Sequence, residues 1–544
     1  MQQTTELAYL GIAEVAAMFR RRSLSPVELT AALIERTQIL QDKFVPYVTL
    51  TPEIALEQAR AAEAAFTRGD AASPLLGIPI AFKDIVMTKG LRTTCGSAVH
   101  ENWLPEHDAA VVERWRAAGA VMMGKLSTHE FALGIQPPGH MLKPALNPWN
   151  PAHVPGGSSS GSGVALAAGL VFGAIGTDTG GSIRNPASYC GITGLKPTYG
   201  RVSRYGIVTL AWTLDTAGPM ARTAEDVAIL LNALAGYDQR DPACATVPVE
   251  DYTAQLGNGV KGLRIAVPVN FFFEKITDDA RASFNAAVEV FRDLGAVVNE
   301  VTIPQGELAG CGRAAMMPEA YAYHARDLAE SPDKYPDQLR NQFRSGGLYL
   351  GSEYVQAQRA RKILMEAYRH VLESHDLMLT PSQTGDAPTY AEMIDPKYKR
   401  GPSYTGAFNL TGLPSMSIPA GFSSRGLPLS IMLSGRPFAE STVLRFAHAY
   451  QGATDWHTHH PDLDAPARST EPSPTPAAAE AGSNPPVITP NVVRQRAAAA
   501  GLKIDDLWLE DIATNMEAAL APLRSLDPRA MRLVEPAVGF NAAW

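Results

Sequence analysis

Two glycine-rich segments of the chain carry serines where chemistry on a bound molecule is feasible. Residues 156–163 read GGSSSGSG and residues 176–182 read GTDTGGS. Glycine has no side chain, so the backbone of such segments can come close to a substrate. The residues between them are helix-like at 163–170 and strand-like at 171–175, which can bring the two segments together. We interpret them as two halves of one site.

Three other interpretations of this region fit the residues less well. A flexible linker would not lead directly into an apolar helix and strand. A G-x-S-x-G nucleophile elbow centred on Ser159 needs a buried strand before it, but residues 147–155 hold three prolines and two asparagines. A phosphate-binding loop would need G-x-x-x-x-G-K-[ST] or a correctly placed G-x-G-x-x-G, and neither pattern is present.

The sequence around these segments resembles the amidase signature family. The similarity runs from about residue 6 to about residue 463, and its most specific stretches are GGSSSGSG, GTDTGGSIRNPASYCGITGLKPTYGRVS, LLGIPIAFKDIV, GKLSTHEFALG, NPWNP, LDTAGPMARTAEDVA and NLTGLPSMSIPAGF. The resemblance implies an α/β fold of the amidase signature type, with a large twisted mixed β-sheet covered by helices on both faces. It also implies hydrolysis of an amide-type C–N bond through an acyl-enzyme.

The resemblance further implies a catalytic unit of one lysine and two serines. On this sequence the lysine is Lys83, the serine held by a cis peptide bond is Ser158, and the nucleophile is Ser182. Backbone N–H groups would hold the oxyanion that forms on the substrate. The expected donors are Thr179, Gly180, Gly181 and Ser182.

A lysine can act as a base only when it is neutral, so burial must lower the pKa of Lys83 from about 10.4 by several units. Lys83 follows the apolar run LGIPIAF, which is typical of a buried strand. The carboxylate of Asp84 would favour the charged lysine if it pointed inward. We therefore expect the Asp84 side chain to point elsewhere.

Other polar residues near the glycine segments are expected to be structural. Arg184 and Asp178 should pair with each other or with the backbone of the turn, and Cys190 should be a buried thiol without a low pKa. The pair His129-Glu130 lacks the second histidine of the H-E-x-x-H zinc motif. The sequence predicts no metal and no cofactor.

Composition and charge describe an ordinary globular chain. The 544 residues are 46% hydrophobic and 19% charged, with a net charge of -8. The only basic run is residues 20–22, so neither nucleic acid nor a membrane surface is expected as a partner. The four cysteines are scattered, and the first residues do not resemble a secretory signal. We predict a cytoplasmic protein.

Hydrophobic periodicity predicts alternating helices and strands that would position these residues. The first 65 residues are interpreted as helices, one of them opened by Ser25 and Pro26. Further helices are predicted at 108–118, 163–170 and 223–234, strands at 76–82, 120–126 and 171–175, and a βα unit at 263–294. This alternation is typical of an α/β layer architecture.

A composition change divides the chain into residues 1–464, a linker at 465–490 and a tail at 491–544. The linker contains seven prolines among Ser, Thr and Ala. Residues 492–526 have a helical pattern whose apolar face comprises Leu509, Ile512, Met516, Leu520 and Leu523. The tail resembles, more weakly, the small partner subunit of amidotransferase-type amidases. We expect its apolar face to pack on the main domain, so that it replaces a separate subunit.

Three functions are compatible with the sequence: an amidase acting on a small amide or carbamate, the glutamine-hydrolysing A-type component of a tRNA-dependent amidotransferase, and an inactive scaffold. In the amidotransferase branch, the resemblance implies, an aspartate precedes the asparagine of N-L-x-G-L-P by several residues. Here GPSYTGAFNLTGLP has no acidic residue before Asn409. The favoured hypothesis is an amidase with a neutral small-molecule substrate, and a homodimer is compatible with it.

We expect the variable region at 300–410 to line the substrate pocket. The candidates are aromatic or flexible residues, although each fits a packed core equally well. They are Met316, Met317, Tyr321, Tyr323, Phe343 and Tyr349.

Overall fold

The structure, a computed structural model, describes residues 6–70, 73–134, 142–395, 403–464, 486–527, 531 and 534–537. Within these residues eleven strands form one mixed sheet. The strands are β1 (Tyr47–Leu50), β2 (Pro79–Lys83), β3 (Val121–Leu126), β4 (Gly173–Asp178), β5 (Thr193–Lys196), β6 (Thr216–Ala221), β7 (Arg264–Pro268), β8 (Val297–Val301), β9 (Leu377–Pro381), β10 (Ser415–Phe422) and β11 (Pro428–Ser434). Their order across the sheet is β1-β3-β2-β4-β6-β5-β10-β11-β9-β7-β8.

Helices cover both faces of this sheet, which gives the α/β fold that the sequence predicts. The α-helices of the main domain are α1 (Ile12–Arg21), α2 (Pro26–Phe44), α3 (Pro52–Arg68), α4 (Ala110–Ala117), α5 (Ser160–Ala167), α6 (Arg184–Cys190), α7 (Ala224–Leu234), α8 (Asp278–Asp293), α9 (Gly312–Glu330), α10 (Asp337–Gly346), α11 (Gly351–Glu373), α12 (Tyr390–Ile394), α13 (Gly406–Leu410) and α14 (Glu440–Ala453). The tail adds α15 (Pro490–Ala499) and α16 (Leu509–Arg524).

Local sequence signals explain where several helices begin. The Ser25 hydroxyl accepts a hydrogen bond from the Val27 amide at 3.0 Å, and Pro26 occupies the first turn of α2. Thr223 caps α7 in the same way, with the Asp226 amide donating at 3.0 Å. Both starts agree with the sequence prediction.

The first 65 residues are not all helical, so that expectation is wrong at β1. This strand is only four residues long and lies between two helices, where its period-2 pattern is too short to read. It pairs antiparallel with β3 at one edge of the sheet.

The order of β2, β3 and β4 brings the two glycine segments together. β2 runs parallel to both neighbours, so the carboxyl ends of all three strands lie at one edge of the sheet. Lys83 ends β2 and Asp178 ends β4. The helix α5 precedes β4 and runs antiparallel to it. The segment before α5 therefore lies near the turn that follows β4.

The tail packs on the main domain through the face that its periodicity predicts. Leu509, Ile512, Met516 and Leu520 are buried in a cluster with residues of α9 and α11. Leu523 is only partly buried. The expectation that the apolar face contacts the main domain is therefore confirmed, and Leu523 packs against the edge of the same cluster.

Polar contacts fix the position of the tail on the same surface. Arg496 donates two hydrogen bonds to the Glu353 carboxylate, at 2.7 and 2.8 Å. The side-chain amide of Asn341 donates through Nδ2 to the Asp505 carboxylate at 3.1 Å. Bidentate arginine–carboxylate pairs fix geometry as well as distance.

The predicted linker overlaps the described residues only at 486–490. There Ile488 is buried and its amide donates to Glu517 at 2.9 Å, while Thr489 caps α15. Residues 465–485 lie outside the described part of the chain. In the described segments no helix is long and apolar enough to cross a bilayer.

Candidate active site

Lys83 is the centre of the candidate site. Its side chain is completely buried at the end of β2, and its Nζ donates to Ser158 Oγ at 2.7 Å and to Thr177 Oγ1 at 2.8 Å. Burial lowers the pKa of Lys83 to about 7, although the carboxylates of Asp178 and Asp215 oppose the shift. A substantial fraction of this amine is therefore neutral near pH 7, as a general base requires.

The Asp84 side chain turns away from Lys83, as expected. Its carboxylate accepts hydrogen bonds from the Thr94 amide at 2.9 Å and the Thr94 hydroxyl at 2.5 Å. It lies 3.4 Å from the buried ammonium of Lys125. The negative charge next to Lys83 in the sequence is thus directed to a different cation.

Ser158 lies between Lys83 and the turn that carries Ser182. The peptide bond between Gly157 and Ser158 is cis, as the family resemblance predicts. A side chain at position 157 would meet the His129 ring at 2.1 Å, so only glycine fits there. The Ser158 carbonyl accepts a hydrogen bond from the His129 amide at 3.0 Å.

Ser182 is partly exposed and lies beside this serine segment. Its carbonyl accepts a hydrogen bond from the Ser159 amide at 3.3 Å, which links the two glycine segments directly. Among the described residues the Ser182 hydroxyl makes no hydrogen bond. The structure therefore joins Lys83 to Ser158 through side chains and joins the Ser158 segment to Ser182 through the backbone.

The backbone amides of the glycine turn differ in what they contact. The Gly181 amide donates to Asp178 Oδ1 at 2.7 Å, so it is occupied within the protein. The amides of Thr179, Gly180 and Ser182 donate to no acceptor among the described residues. The Gly180 carbonyl accepts a hydrogen bond from Thr405 Oγ1 at 2.8 Å. A side chain at position 181 would lie 2.2 Å from Thr405 Oγ1, so glycine is needed there.

A buried ion pair supports the turn from below. Arg184 Nε and Nη2 each donate to the Asp178 carboxylate at 3.0 Å, and Asn409 Nδ2 donates to it at 2.8 Å. Burial alone would raise the pKa of Asp178, but the Arg184 guanidinium holds that pKa well below its usual range. The expected pairing of Arg184 with Asp178 is confirmed, and it fixes the Gly181 amide indirectly.

Cys190 is a buried thiol at the end of α6, as predicted. Its Sγ donates to the Pro155 carbonyl at 3.3 Å, and burial raises its pKa well above the usual range. Ser159 also has a structural position, because its hydroxyl contacts the backbone of Thr177. In the described parts of the chain, His, Cys, Asp and Glu side chains form no group of three that could hold a metal ion.

A cleft of about 250 Å³ opens beside the turn. Its wall includes Thr177, Thr179 and Asp215 but not Ser182 itself. Most of the remaining wall comes from residues 204–217 and 240–242. A larger cleft of about 360 Å³ contains none of the predicted catalytic residues.

The expectation that residues 300–410 line the cleft is therefore wrong for this cleft. Met317 and Phe343 are completely buried in a core cluster, and Tyr321 and Tyr323 pack against that cluster. The wall residues instead come from an irregular segment that has no periodic pattern to mark it.

Sequence reasoning also missed three residues that contact the site. Thr177 accepts from Lys83, Asp215 accepts from Thr179, and Asn409 contacts Asp178. All three lie inside motifs quoted above, GTDTGGS, LDTAGP and NLTGLP. Their polar side chains within otherwise apolar or glycine-rich motifs were the available signal.

Solved structures of other proteins, one of them a peptide amidase, have the same architecture. The native peptide amidase of Stenotrophomonas maltophilia is 30% identical, with a TM-score of 0.72 over 81% of this chain and 96% of that chain. A second structure is the inhibitor-bound form of a vestigial protein complex that reveals the evolutionary origins of an s-triazine catabolic enzyme. Its chain is 29% identical, with a TM-score of 0.77 over 81% of this chain and 98% of that chain. The fold and these similarities thus define a hydrolase of carbon–nitrogen bonds.

Sequence comparison gives the family. The amidase family model matches residues 28–444, so the chain belongs to the amidase family. The A-type subunit of the glutamyl-tRNA(Gln) amidotransferase of Methylococcus capsulatus is 46% identical over 478 residues, which cover 83% of this chain and 98% of that protein. The protein is an amidase that cleaves an amide-type C–N bond.

Proposed function

We propose that the amidase acts on a neutral small amide or carbamate, with Ser182 as nucleophile and Lys83 as the base that acts through Ser158. The observation that carries this proposal is the hydrogen bond of 2.7 Å between the buried Lys83 amine and Ser158 Oγ. A lysine without a carboxylate partner at that position is poised to accept a proton. The glycine turn supplies the nucleophile next to it.

In the first half of the reaction, neutral Lys83 takes the Ser158 hydroxyl proton while Ser158 takes the proton of Ser182. The Ser182 oxygen forms a bond to the substrate carbonyl carbon, and the negative charge moves to the carbonyl oxygen. Free amides of the turn, those of Thr179, Gly180 and Ser182, stabilise this oxyanion. The C–N bond then breaks, and the nitrogen leaves with the proton that returns through Ser158.

The second half repeats these steps with water. The relay removes a proton from water, the resulting oxygen attacks the acyl carbon, and the bond to Ser182 breaks as its oxygen regains a proton. The products are an amine or ammonia and a carboxylic acid or, from a carbamate, a carbonic acid monoester. Because Lys83 and the two serines act as one unit, removing any of them should cost nearly as much as removing two.

The arginines around the cleft support a substrate that carries no negative charge. Arg204 makes hydrogen bonds to Asp241 at 2.9 and 3.1 Å, and Arg240 is bound by Asp238 and Glu113. Each arginine of the cleft wall is therefore neutralised by a carboxylate within the protein. Apolar side chains such as Ile207 and Leu210 contribute much of the remaining wall.

The second candidate is a glutaminase component of an amidotransferase, which the 46% identity to the A-type component of an amidotransferase favours. Such an enzyme must hold both charged groups of free glutamine. The described residues 403–408, which precede Asn409, contain no acidic side chain. Purified protein should therefore show a higher kcat/KM for a neutral aryl amide than for ammonia release from glutamine, and comparable values would favour the glutaminase.

A fluorophosphonate probe tests the nucleophile directly. The wild-type chain should be labelled at Ser182, and Ser182→Ala should abolish labelling. Ser160→Ala is the matched control, because Ser160 is a buried serine of the same region. In the part of the chain that the structure describes, its hydroxyl makes one long hydrogen bond, of 3.4 Å, to the Ser127 carbonyl. Label on another residue in the wild type would contradict the assignment of Ser182.

We further infer that the tail takes the place of a separate small subunit. Its helices bury an apolar face against the main domain, and Arg496 is fixed by Glu353. The relative from Methylococcus capsulatus is by name one subunit of an amidotransferase, so partner surfaces are expected on a chain of this type. A homodimer is an additional expectation that sedimentation would test.

Truncation after residue 463 should lower the melting temperature and the solubility, because the apolar surface under α16 becomes exposed. Arg496→Ala should lower the melting temperature of the full chain in the same direction. Arg494→Ala is its control, since Arg494 pairs only with Asp506 within the tail, where both side chains are mostly exposed. A truncated enzyme as stable and active as the full chain would show that the tail is dispensable.

The proposed location is the cytoplasm. All four cysteines are buried and free, which is typical of proteins in a reducing compartment.

A further inference from the structure

A buried carboxylate that the catalytic relay does not use lies directly behind the glycine turn. Asp215 Oδ1 accepts a hydrogen bond from Thr179 Oγ1 at 2.5 Å. Asp215 Oδ2 accepts from the amides of Leu210 and Ala211 at 2.8 and 3.1 Å. One side chain thus connects the turn that carries the nucleophile to the loop that lines the cleft.

The topology explains why Asp215 reaches this position. β6 starts at the next residue, Thr216, which is the antiparallel partner of Asp178 at the end of β4. Asp215 and Thr179 therefore lie opposite each other, one residue beyond the paired ends of the two strands. Their contact holds the first residue of the turn just where β4 ends.

Asp215 has no cationic partner within salt-bridge distance among the described residues. A buried carboxylate without such a partner is costly unless hydrogen bonds satisfy it. Burial raises the pKa of Asp215 to about 6, while the bonds from Thr179 and the loop amides oppose that shift. The Asp215 carboxylate is therefore an anion at neutral pH, and three hydrogen-bond donors hold it in place.

Two cationic groups, the fully buried Lys83 and the partly buried Arg204, interact electrostatically with this anion. The Asp215 carboxylate raises the pKa of Lys83 against the effect of burial. Arg204, which Asp241 binds, is the nearby guanidinium that lowers the pKa of Asp215. Tyr199 and Tyr323 are further titratable groups near it, and Asp178 with Arg184 lies beyond the turn.

We propose that Asp215 is a positioning residue of the amidase reaction: through its hydrogen bond to the Thr179 hydroxyl it aligns the first backbone donor of the oxyanion hole. This inference rests on the function proposed above. The Asp215 charge also acts on Lys83 through space, together with that of Asp178, so the carboxylate has two separable effects.

Variants at the two ends of this hydrogen bond separate the effects. Thr179→Val has nearly the same shape as threonine and removes the hydroxyl but leaves the Asp215 charge. Thr179→Ser keeps the hydroxyl. Asp215→Asn removes the charge and disturbs the hydrogen bonds. All three are made in the full chain and compared by thermal melting, kcat, KM and pH profile with a neutral aryl amide, and by the rate of fluorophosphonate labelling at Ser182.

Thr179→Val and Asp215→Asn should each lower kcat and the labelling rate by about 10- to 100-fold with little change in KM, since loss of one oxyanion donor costs about 10²–10³ and misalignment costs less. Thr179→Ser should stay within about threefold of the wild type. The double variant should be little worse than either single variant, because both break one interaction.

The pH profile distinguishes positioning from a purely structural role. Asp215→Asn should move the acidic limb of kcat/KM to lower pH, since the Lys83 pKa falls without the nearby anion. Thr179→Val should leave that limb in place.

Thr179→Val within about twofold of wild-type kcat would overturn the inference, even if Asp215→Asn does not fold. A wild-type chain that is not labelled at Ser182 would overturn the proposed function itself and this inference with it.

Discussion

Two completely buried lysines lie on adjacent strands of the sheet and have opposite surroundings. Lys125 on β3 lies 3.4 Å from the Asp84 carboxylate and donates at 2.6 Å to both the Val86 carbonyl and Thr93 Oγ1. Lys83 on β2 contacts two hydroxyls, and no carboxylate lies within salt-bridge distance of it in the described part of the chain. Burial lowers the pKa of both lysines, but only Lys125 has a counterion in contact.

The difference shows how one residue type serves two purposes on neighbouring strands. A counterion compensates a buried charge and makes Lys125 part of the framework. Hydroxyl partners compensate a buried charge less than a carboxylate does, so Lys83 readily loses its proton. The neutral amine can then accept a proton from Ser158. Asp84 decides the outcome, because its carboxylate is directed to Lys125 rather than to the adjacent Lys83.

Replacing Lys83 should have the largest effect on catalysis. Lys83→Met keeps the volume of the side chain and leaves no contacting carboxylate unpaired, so the fold should persist. We expect kcat to fall by about 10²–10⁴-fold, the range that general-base catalysis supplies. Steady-state kinetics with a melting curve measures this, and a variant with more than about a tenth of wild-type activity would show that Lys83 is not the base.

Replacing Lys125 should instead destabilise the protein. Lys125→Met leaves Asp84 buried without its cation, which typically costs about 3–5 kcal/mol. Urea unfolding should show this loss, while kcat per folded molecule should stay within a few-fold of wild type. The double variant Lys125→Met/Asp84→Asn should recover part of the stability. An unchanged free energy of unfolding would mean that the pair is not a structural element.

The pH dependence of activity should follow Lys83. Its neutral form is the base and its pKa is about 7, so activity should rise as pH increases through about 7 and level off above it. Below that pH the lysine keeps its proton and cannot accept another. A pH profile of kcat/KM measures this, and an acidic limb near the ordinary lysine pKa of about 10.4 would contradict the assignment.

Replacing Thr177 should have the smallest effect. Its hydroxyl accepts from Lys83, and such a bond contributes about 0.5–1.5 kcal/mol. Thr177→Val should therefore shift the acidic limb to lower pH by less than about one unit and reduce kcat by less than about tenfold. Thr216→Val is the control, since Thr216 is equally buried and lines the same cleft, and among the described residues its hydroxyl bonds only the Leu214 carbonyl, at 3.4 Å. Equal pH profiles and kcat values for the two variants would show that Thr177 has no role in catalysis.

The sequence predicted the residues of the candidate site better than their contacts. Lys83, Ser158 and Ser182 lie in long motifs, and the apolar run before Lys83 correctly indicated burial. The partner of Asp84 was not predictable, because it depends on the register between β2 and β3, which is interrupted between Ile80 and Phe82. Roles of the three residues remain predictions until the variants are measured.

Across the fold, segments with a regular hydrophobic pattern were predicted better than irregular segments. The helical periodicity of the tail predicted which face of α16 is buried, since residues three and four apart share a face. The four-residue strand β1 was too short to show a period. The cleft wall at 204–217 has no periodic pattern, so its position depended on long-range contacts such as that between Asp215 and Thr179.

The covalent attachment of α15 and α16 has a consequence for how the enzyme is made. Two separate proteins must be expressed in balance, and dilution below their dissociation constant separates them. Here each main domain is synthesised with one copy of the helical pair, so the ratio is fixed by translation and dilution does not change it. Because residues 486–537 follow the main domain in the chain, the apolar surface around α9 and α11 stays uncovered until they emerge from the ribosome. Chaperone binding during synthesis is therefore expected at that surface.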